Sequence, residues 1–285
     1  MKKIVLASRG SRLSGAQTDL AAAALSEKGI ECSKLIVKTR GDIDRTGELS
    51  KIGGDGLFVR EIERTVLAKD ADAAVHSAKD LPYSLMDNMM IAATLPAADP
   101  SDCLVIRSDC KDINIIGTGS ARRAFFMRRL YPDSRVKNIR GNVDTRLKKL
   151  NAGEYDAIVL AAAGIERLGI DLSNFRVKKF SSDEMVPSCG QGIIAIECRK
   201  DDYGTIEILK SIDSENARKR LTAERCLFRM IGADCSKAAG AHAEIDGDDM
   251  TLYGMFEEKT VCLHGKYYDY KDICADAAGR LRLNS

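Results

Sequence analysis

Short apolar runs alternate with amphipathic stretches along the first third of the chain. Lys3–Ser8 and Ala71–Val75 are apolar runs that predict buried strands. Ser14–Lys28 predicts an alanine-rich helix, which the following Gly29 would end in the left-handed conformation that glycine adopts readily. Apolar positions at helical spacing predict an amphipathic helix over 57–69. This alternation of strands and helices predicts a mainly parallel sheet with helices on both faces.

The same rhythm resumes after a Pro-marked segment at Leu95–Pro100. Further strands are predicted at 32–39, 103–107, 113–117, 136–139, 155–161 and 193–198, and helices at 121–130, 143–151 and from 165. A second Gly/Pro-marked junction falls at Pro187–Gly192. Two similar α/β halves joined by two chain crossings predict a fold like that of periplasmic binding proteins, with a hinged cleft between its domains.

The last part of the chain has a different pattern. A long helix is predicted over Ser214–Ile231, followed by strands at 241–245, 250–256 and 260–266 and a helix over 272–281. Asp-Gly-Asp-Asp at 246–249 is a hairpin signal between the first two strands. The predicted fold is therefore α/β, with domain 1 at 1–96 and 190–210, domain 2 at 97–189, and a small α+β domain at 211–285.

Composition excludes several classes of protein. The 285 residues are 45% hydrophobic and 30% charged, which is typical of a globular chain. The apolar stretch after Met1 is too short for a signal peptide, and no apolar run is as long as a membrane span, so a cytoplasmic protein is expected. Nine cysteines without a CxxC pair, and only three histidines, predict free thiols and no metal site.

Positive charge is concentrated in one segment. Ser120–Lys149 holds ten Lys or Arg residues and two Asp residues, although the whole chain has a formal net charge of only +2. Such an excess predicts an anionic partner or a solvated basic face. Nucleic acid is disfavoured as that partner, because aromatic residues for base stacking are only 5% of the chain and tryptophan is absent.

Arginines recur where predicted strands pass into helices. Arg122 and Arg123 fall in the first helical turn after Gly117-Thr-Gly-Ser120, where they oppose the positive end of the helix dipole. An anion at that helix start would remove the conflict, and arginine matches the planar geometry of a carboxylate. Similar turns follow other strands and contribute Arg9, Ser11, Arg140, Arg146 and Gly164. Together they predict a cleft for a polycarboxylated small molecule.

A fifth turn, Val75-His-Ser-Ala-Lys-Asp-Leu-Pro82, supplies an acid. Lys79 and Asp80 could form a simple surface ion pair, which would contribute little. Among so many cations, however, Asp80 suits contact with a transient cation or a ring N–H group.

Four motifs together resemble the porphobilinogen deaminase (hydroxymethylbilane synthase) family. They are Val-His-Ser-Ala-Lys-Asp-Leu-Pro at 75–82, Gly-Thr-Gly-Ser-Ala-Arg-Arg at 117–123, Ile-Arg-Gly-Asn-Val-Asp-Thr-Arg at 139–146, and Gly-Glu-Tyr-Asp-Ala-Ile-Val-Leu-Ala-Ala-Ala-Gly at 153–164. Thr222-Ala-Glu-Arg225, with Cys235 ten residues after the arginine, is similar to the cofactor-attachment segment of that family.

The resemblance implies a transferase of tetrapyrrole and haem biosynthesis. Members of the family condense four porphobilinogen molecules into linear hydroxymethylbilane and release four ammonia molecules. They use a dipyrromethane cofactor that is bound covalently through a cysteine thioether and primes the chain. By position that cysteine is Cys235, whose alternative interpretation is a buried core thiol.

Residue roles carried over from the family divide into three sets. Asp80 is the catalytic residue, which would contact the pyrrole N–H groups, aid ammonia loss and stabilise the azafulvenium cation. The cofactor set is Ser77, Lys79, Thr118, Ser120, Arg122, Arg123, Gly164 and Cys235, and the substrate set is Arg9, Ser11, Lys51, Phe58, Arg140 and Arg146. The resemblance also implies a monomer without a metal, which passes its product to uroporphyrinogen-III synthase and binds neither membrane nor nucleic acid.

Some positions depart from the family pattern. The glycine-rich loop has Asp55 where the family often has lysine, so no binding role is carried onto it. Other departures are Arg12-Leu-Ser14, Gly119, Ala121 and Ala238-Ala-Gly240. The competing hypothesis is a non-catalytic anion-binding or sensor protein of the same architecture, against which Cys235 and Asp80 both count.

Overall fold

The computed structural model of the protein describes residues 3–37, 56–82, 84–233 and 237–282, with side chains at 56–58 excepted. The chain divides into two compact units. The first consists of Met1–Ala98 and Ile193–Thr222, and the second of Asp99–Gly192 and Ala223–Ser285. The three sequence-based domains stay a prediction.

The elements follow one another in a repeated βα pattern. The first unit begins with β1 (Lys3–Arg9), α1 (Arg12–Glu27), β2 (Glu31–Val37), α2 (Gly56–Leu67), β3 (Ala73–Ser77) and β4 (Met89–Thr94). The second contains β5 (Asp102–Arg107), β6 (Ile115–Gly117), α3 (Ala121–Leu130), β7 (Arg135–Lys137), α4 (Val143–Asn151), β8 (Ala157–Ala161), α5 (Ala162–Arg167) and β9 (Phe175–Lys179). The chain then returns to the first unit with β10 (Ile194–Arg199) and α6 (Tyr203–Lys210). Helix α7 (Glu215–Ile231) leads back to β11 (Ala239–Asp246), β12 (Asp249–Phe256), β13 (Lys259–Lys266) and α8 (Tyr270–Arg282).

The two large sheets share one topology. The strand orders are β2-β1-β3-β10-β4 and β7-β6-β8-β5-β9. In each of these orders the first three strands pair in parallel. The fourth, which the chain enters from the other unit, is antiparallel to the third and the fifth. The expectation of a mainly parallel sheet is therefore wrong for half of the pairings. A strand that enters from outside the unit has no crossover helix to fix its direction.

Burial explains why the central strands were recognisable from sequence. Every residue of β10 is buried, and so are the first four residues of β3, and each strand begins with a run of three apolar residues, as expected of strands covered on both faces. Strand β9 is an exposed edge with the sequence Phe-Arg-Val-Lys-Lys, and the sequence pattern missed it. Charged residues on an edge strand hinder pairing with other chains but hide the strand from a hydrophobicity pattern. Strand β4 and helix α6 were also missed.

The ends of the elements follow local chemistry. Gly29 has a φ of +74° and its N–H donates to Ser26 O, while Ile30 N–H donates to Leu25 O, so α1 ends where the glycine predicted. The hairpin between β11 and β12 turns through Gly247, at a φ of +58°, with Asp246 opposite Asp249. That hairpin prediction is confirmed.

The small C-terminal region is a three-stranded antiparallel sheet, β11-β12-β13, packed with α7 and α8. It belongs to the second unit, where Met255 and Tyr253 of its sheet pack with Phe126 and Val186. The α/β class and the α+β C-terminal region are thus confirmed. Within the residues that the structure describes, no helix is both long and apolar enough to cross a membrane.

Candidate active site

In the first unit, the predicted site residues lie at one edge of the sheet. Strands β1 and β3 are parallel neighbours, so the turns that follow them meet at the same edge. Ser11 caps α1 by accepting a hydrogen bond from Ser14 N–H at 3.1 Å. The Ser77 hydroxyl lies 2.7 Å from the Gln17 amide nitrogen and 3.2 Å from its oxygen, which ties β3 to α1. Arg9, half-buried, ends β1 at this edge.

Asp80 stands at the end of a single 3₁₀ turn, Ala78–Asp80, directly after β3. The turn is fixed because Ala78 N–H donates to Ile193 O at 2.9 Å and Leu81 N–H donates to Ala78 O at 3.2 Å. Ala78 is buried, Lys79 is half-buried and Asp80 is exposed. A rigid turn therefore presents the Asp80 carboxylate toward solvent, where a substrate can reach it.

In the second unit, the turn after β6 prepares the start of α3. Ser120 caps α3 by accepting from Arg123 N–H, while the Thr118 hydroxyl accepts from Ser120 N–H at 3.2 Å and Thr118 N–H donates to Lys137 O at 3.0 Å. A Cβ on Gly119 would lie only 3.1 Å from Asn138 Oδ1 and from Ile139 O. The close approach of these two turns therefore favours glycine at 119.

The turn after β7 places the second pair of arginines. Asn142 caps α4 by accepting from Thr145 N–H at 2.9 Å, and Gly141 has a φ of +115°. The Arg146 Nε donates to Gly141 O at 2.8 Å, and its side chain is half-buried. Burial, and then the positive charge of Arg123, lower the pKa of Arg146. Arg140 is exposed at this turn.

Arg122 and Arg123 are buried against a carboxylate that the sequence analysis did not single out. Asp102 Oδ2 lies 2.7 Å from an NH2 of Arg122, and its Oδ1 accepts from Arg123 NH2 at 2.7 Å and Nε at 3.0 Å. One anion at the start of α3 is therefore the protein's own Asp102 carboxylate, which offsets part of the positive charge of Arg122 and Arg123. The position of these two arginines does not by itself require an external anion, contrary to the interpretation of the sequence.

Two further side chains escaped the sequence analysis. Gln191, in the second crossing, donates from its amide nitrogen to Pro100 O at 2.6 Å and to Asp102 Oδ1 at 3.1 Å. Arg167, in the last turn of α5, donates to Gly192 O at 2.6 Å, and burial lowers its pKa. The sequence signal that could have identified Gln191 is its position as a polar residue between two glycines at the second junction. For Arg167 the sequence offers no signal other than its charge.

The remaining predicted positions are less fully described. Lys51, Asp55 and Cys235 lie outside the described residues, and Phe58 lies in α2 without a described side chain. Gly164 is buried in α5, directly after β8. The roles predicted for Lys51, Phe58, Gly164 and Cys235 stay predictions.

The described cysteines were compared with the requirements of a reactive thiol and of a metal site. All eight described cysteines are free thiols, and burial raises the pKa of Cys103 and of Cys198 to about 11, so both are unreactive core groups. Among the described residues, no group of three or more His, Cys, Asp or Glu side chains could hold a metal ion.

The donor set matches an organic polyanion. Guanidinium groups, capped helix starts and hydroxyls follow the carboxyl ends of the parallel neighbours β6 and β7, where α/β sheets bind anions. Planar carboxylates suit such donors, since arginine can bind them through two parallel hydrogen bonds.

Comparison with known proteins gives the chain its relatives. Residues 4–207 match the sequence model of a family described as "Porphobilinogen deaminase, dipyromethane cofactor binding domain". A porphobilinogen deaminase of Roseiflexus sp. is 42% identical over 88% of this chain and 85% of its own length. One of Clostridium acetobutylicum is 40% identical over 90% of this chain and 89% of its own length. A solved structure, substrate binding domain 2 of Lactococcus lactis GlnP, matches 81% of this chain and 91% of its own length at 14% identity and a TM-score of 0.45.

Proposed function

The chain belongs to the porphobilinogen deaminase family, and on that premise we propose that it condenses four porphobilinogen molecules into hydroxymethylbilane with release of ammonia. The observation that carries this proposal is the family match together with the arginines that follow the carboxyl ends of β6 and β7. Each porphobilinogen bears an acetate and a propionate, so each ring added to the chain brings two negative charges. Binding the growing chain requires several cations in one place.

The arginine-rich edge of the second unit fits the carboxylates of a dipyrromethane cofactor. The buried Arg122 and Arg123 and the capped turn at Thr118 and Ser120 supply guanidinium and hydroxyl donors of the type that carboxylates bind. Lys79, Ser77 and Gly164 complete the proposed cofactor set. When bound, this group supplies the pyrrole carbon that attacks the first substrate, and Cys235 is the proposed point of attachment.

Substrate capture is the proposed task of a second set of side chains. Arg140 is exposed and able to bind an incoming carboxylate, and Arg146 and Arg9 are half-buried neighbours of capped helix starts. Ser11, Lys51 and Phe58 complete this set by their match to the family. A bidentate arginine fixes the orientation of a carboxylate as well as its position, which brings the aminomethyl group into a defined place.

Asp80 is the proposed catalytic residue. Its carboxylate would accept a hydrogen bond from the pyrrole N–H of the substrate as ammonia leaves and positive charge develops on the ring. A fixed negative charge near that ring is stabilising because the rigid 3₁₀ turn needs no rearrangement when the charge forms. The same carboxylate is placed to take the proton that the attacking carbon releases.

We also propose that the enzyme is a cytoplasmic monomer that passes its product to uroporphyrinogen-III synthase. Free thiols at all eight described cysteines fit a reducing compartment. A linear tetrapyrrole becomes a macrocycle only through a following ring-closing reaction.

Intact-protein mass spectrometry tests the proposed function most directly. The purified protein should be heavier than its sequence by one covalent dipyrromethane, and Cys235→Ser should lack that mass and lose activity. Cys262→Ser is the matched control, since Cys262 is an exposed free thiol elsewhere in the chain. An unmodified wild-type mass after expression with ample porphobilinogen would contradict the enzyme and favour a non-catalytic binder.

A further inference from the structure

A single buried carboxylate joins the two arginines of the proposed cofactor set. Asp102 begins β5 and is fully buried, and its two oxygens are shared out between neighbours: Oδ2 faces Arg122 and Oδ1 accepts from Arg123. Arg122 is 4% exposed and Arg123 is 7% exposed. Three charged groups are thus held together out of water, where each charge depends on its ion pairs and hydrogen bonds because an isolated buried charge is costly.

Carbonyl oxygens fix the other side of each guanidinium group. Arg122 NH1 donates to Val186 O at 2.7 Å, and Arg123 NH1 donates to Val159 O of β8 at 3.0 Å. The stem of Arg122 also packs under β11, because a Cβ on Gly240 would lie 3.1 Å from Arg122 Cδ. Each arginine is therefore oriented by Asp102 on one side and by backbone on the other.

Asp102 is itself held in place by Gln191. The Gln191 amide nitrogen bridges Asp102 Oδ1 and Pro100 O, and its side chain is 1% exposed. Because Pro100 lies two residues before Asp102, this bridge fixes the backbone and the carboxylate together. The carboxylate has little freedom to rotate away from either arginine.

We propose that Asp102, held by Gln191, is a positioning residue that fixes the orientation in which Arg122 and Arg123 receive the carboxylates of the dipyrromethane cofactor. This inference rests on the proposed function. Asp102 offsets one of the two positive charges, so the pair keeps a net charge of +1 for the ligand. Binding geometry of this kind tolerates displacements of only about 0.5 Å.

Two substitutions distinguish the effect of the position of the Asp102 carboxylate from the effect of its charge. Asp102→Glu keeps the negative charge and moves it by ~1.5 Å, the length of one C–C bond. Gln191→Met keeps all three charges and removes the bridge to Asp102. Asp99→Asn is the matched control, since Asp99 lies in the same segment and pairs with Lys179 at 2.7 Å instead of with either arginine.

The experiment measures the fraction of protein molecules that carry the cofactor mass, at a temperature well below the melting point of each variant. Asp102→Glu should carry the cofactor on about half of the molecules or fewer, as expected for a displacement beyond the tolerance of the site. The KM for porphobilinogen of the occupied fraction should stay near the wild-type value, because Arg140 and Arg146 are unchanged. Asp99→Asn should be fully occupied.

If folded Asp102→Glu carried the cofactor as often as the wild type, the proposal would be overturned. A negative charge beside the two arginines would then be sufficient for cofactor attachment, whatever its exact position. If that variant does not fold, Gln191→Met decides: lowered occupancy supports the positioning role, and full occupancy overturns it. A wild-type protein without cofactor would instead contradict the proposed function itself, so the two failures are distinguishable.

Discussion

The arginines of the basic segment differ in what surrounds each guanidinium group. Arg122 and Arg123 are buried with Asp102, Arg146 is half-buried near Arg123, and Arg140 is exposed. A buried arginine with a fixed carboxylate is already oriented and loses little freedom when a ligand binds. An exposed one remains mobile and suits the capture of a ligand from solution. These differences support dividing the cluster into a cofactor set and a substrate set.

Asp80→Ala should abolish almost all turnover and leave the fold intact. The side chain is exposed, and the backbone hydrogen bonds that hold its turn remain after the substitution, so the fold should be kept. Removal of a preorganised charge at a reacting centre typically lowers kcat by about 10²–10³-fold.

Steady-state product formation and a thermal melt check this prediction, with Asp87→Ala as the control because Asp87 is exposed on the same unit. Wild-type-like turnover of Asp80→Ala would show that the assigned role is wrong.

At the scale of elements, close backbone approaches decide where side chains are permitted. Strand β11 passes over the Pro187 junction so closely that a Cβ on Gly240 would lie 2.9 Å from Pro187 O and 3.1 Å from Val186 Cγ1. Gly279, in α8, has nothing within 4 Å of its missing Cβ. The same substitution should therefore act in opposite directions at the two positions.

Gly240→Ala should destabilise the protein by about 1–3 kcal/mol, the usual cost of overpacking, because the Pro187 carbonyl belongs to the backbone and cannot turn aside. Gly279→Ala should stabilise it by about 0.5–1 kcal/mol, since alanine loses less backbone entropy in a helix. Denaturant unfolding of both variants provides the comparison. Equal effects of the two changes would show that β11 does not pack against Pro187 as described.

At the scale of the whole molecule, buried acids link global stability to pH. Glu63 of α2 is fully buried, and Met86 N–H donates to its Oε1 at 3.0 Å. Burial raises the pKa of Glu63 above its ordinary value of 4.5, and the negative charge of Glu197 adds to the rise, while the Met86 hydrogen bond, His76 and Arg60 oppose it. Because the folded state then binds the proton more tightly than the unfolded state, stability falls as pH rises from about 4.5 through the raised pKa.

Glu63→Gln should therefore stabilise the protein at neutral and alkaline pH, and the gain should disappear as pH falls toward 4.5. The glutamine oxygen can still accept the Met86 hydrogen bond, so the comparison isolates the charge. The free energy of unfolding measured across this pH range tests the sign, with the exposed Glu27→Gln as the control for loss of one negative charge. A gain that grows toward acid pH would contradict the assignment.

Local pattern and local chemistry explain which parts of the fold were predictable. The helices at 121–130 and 143–151 begin and end where their caps and periodicity indicate, and Gly29 ends α1 as expected. Strand β9 and helix α6 were missed because the one is a charged edge and the other a short surface helix. The direction of β5 and β10 also escaped prediction, since it depends on where the chain re-enters each sheet.

The sequence by itself determined the α/β class, the family, and the residue types that could bind a polycarboxylate, because these depend on periodicity, motifs and charge within short segments. Only the tertiary structure brought Asp102 to Arg123, 21 residues away, and Gln191 to Asp102, 89 residues away. Hydrogen bonds between residues so far apart in the chain produce no recognisable motif in the sequence, because they form only when separate strands and crossings pack together. The sequence shows the positive charge of the basic segment. Only the packing of the folded chain decides which of its arginines are buried against Asp102 and which are exposed.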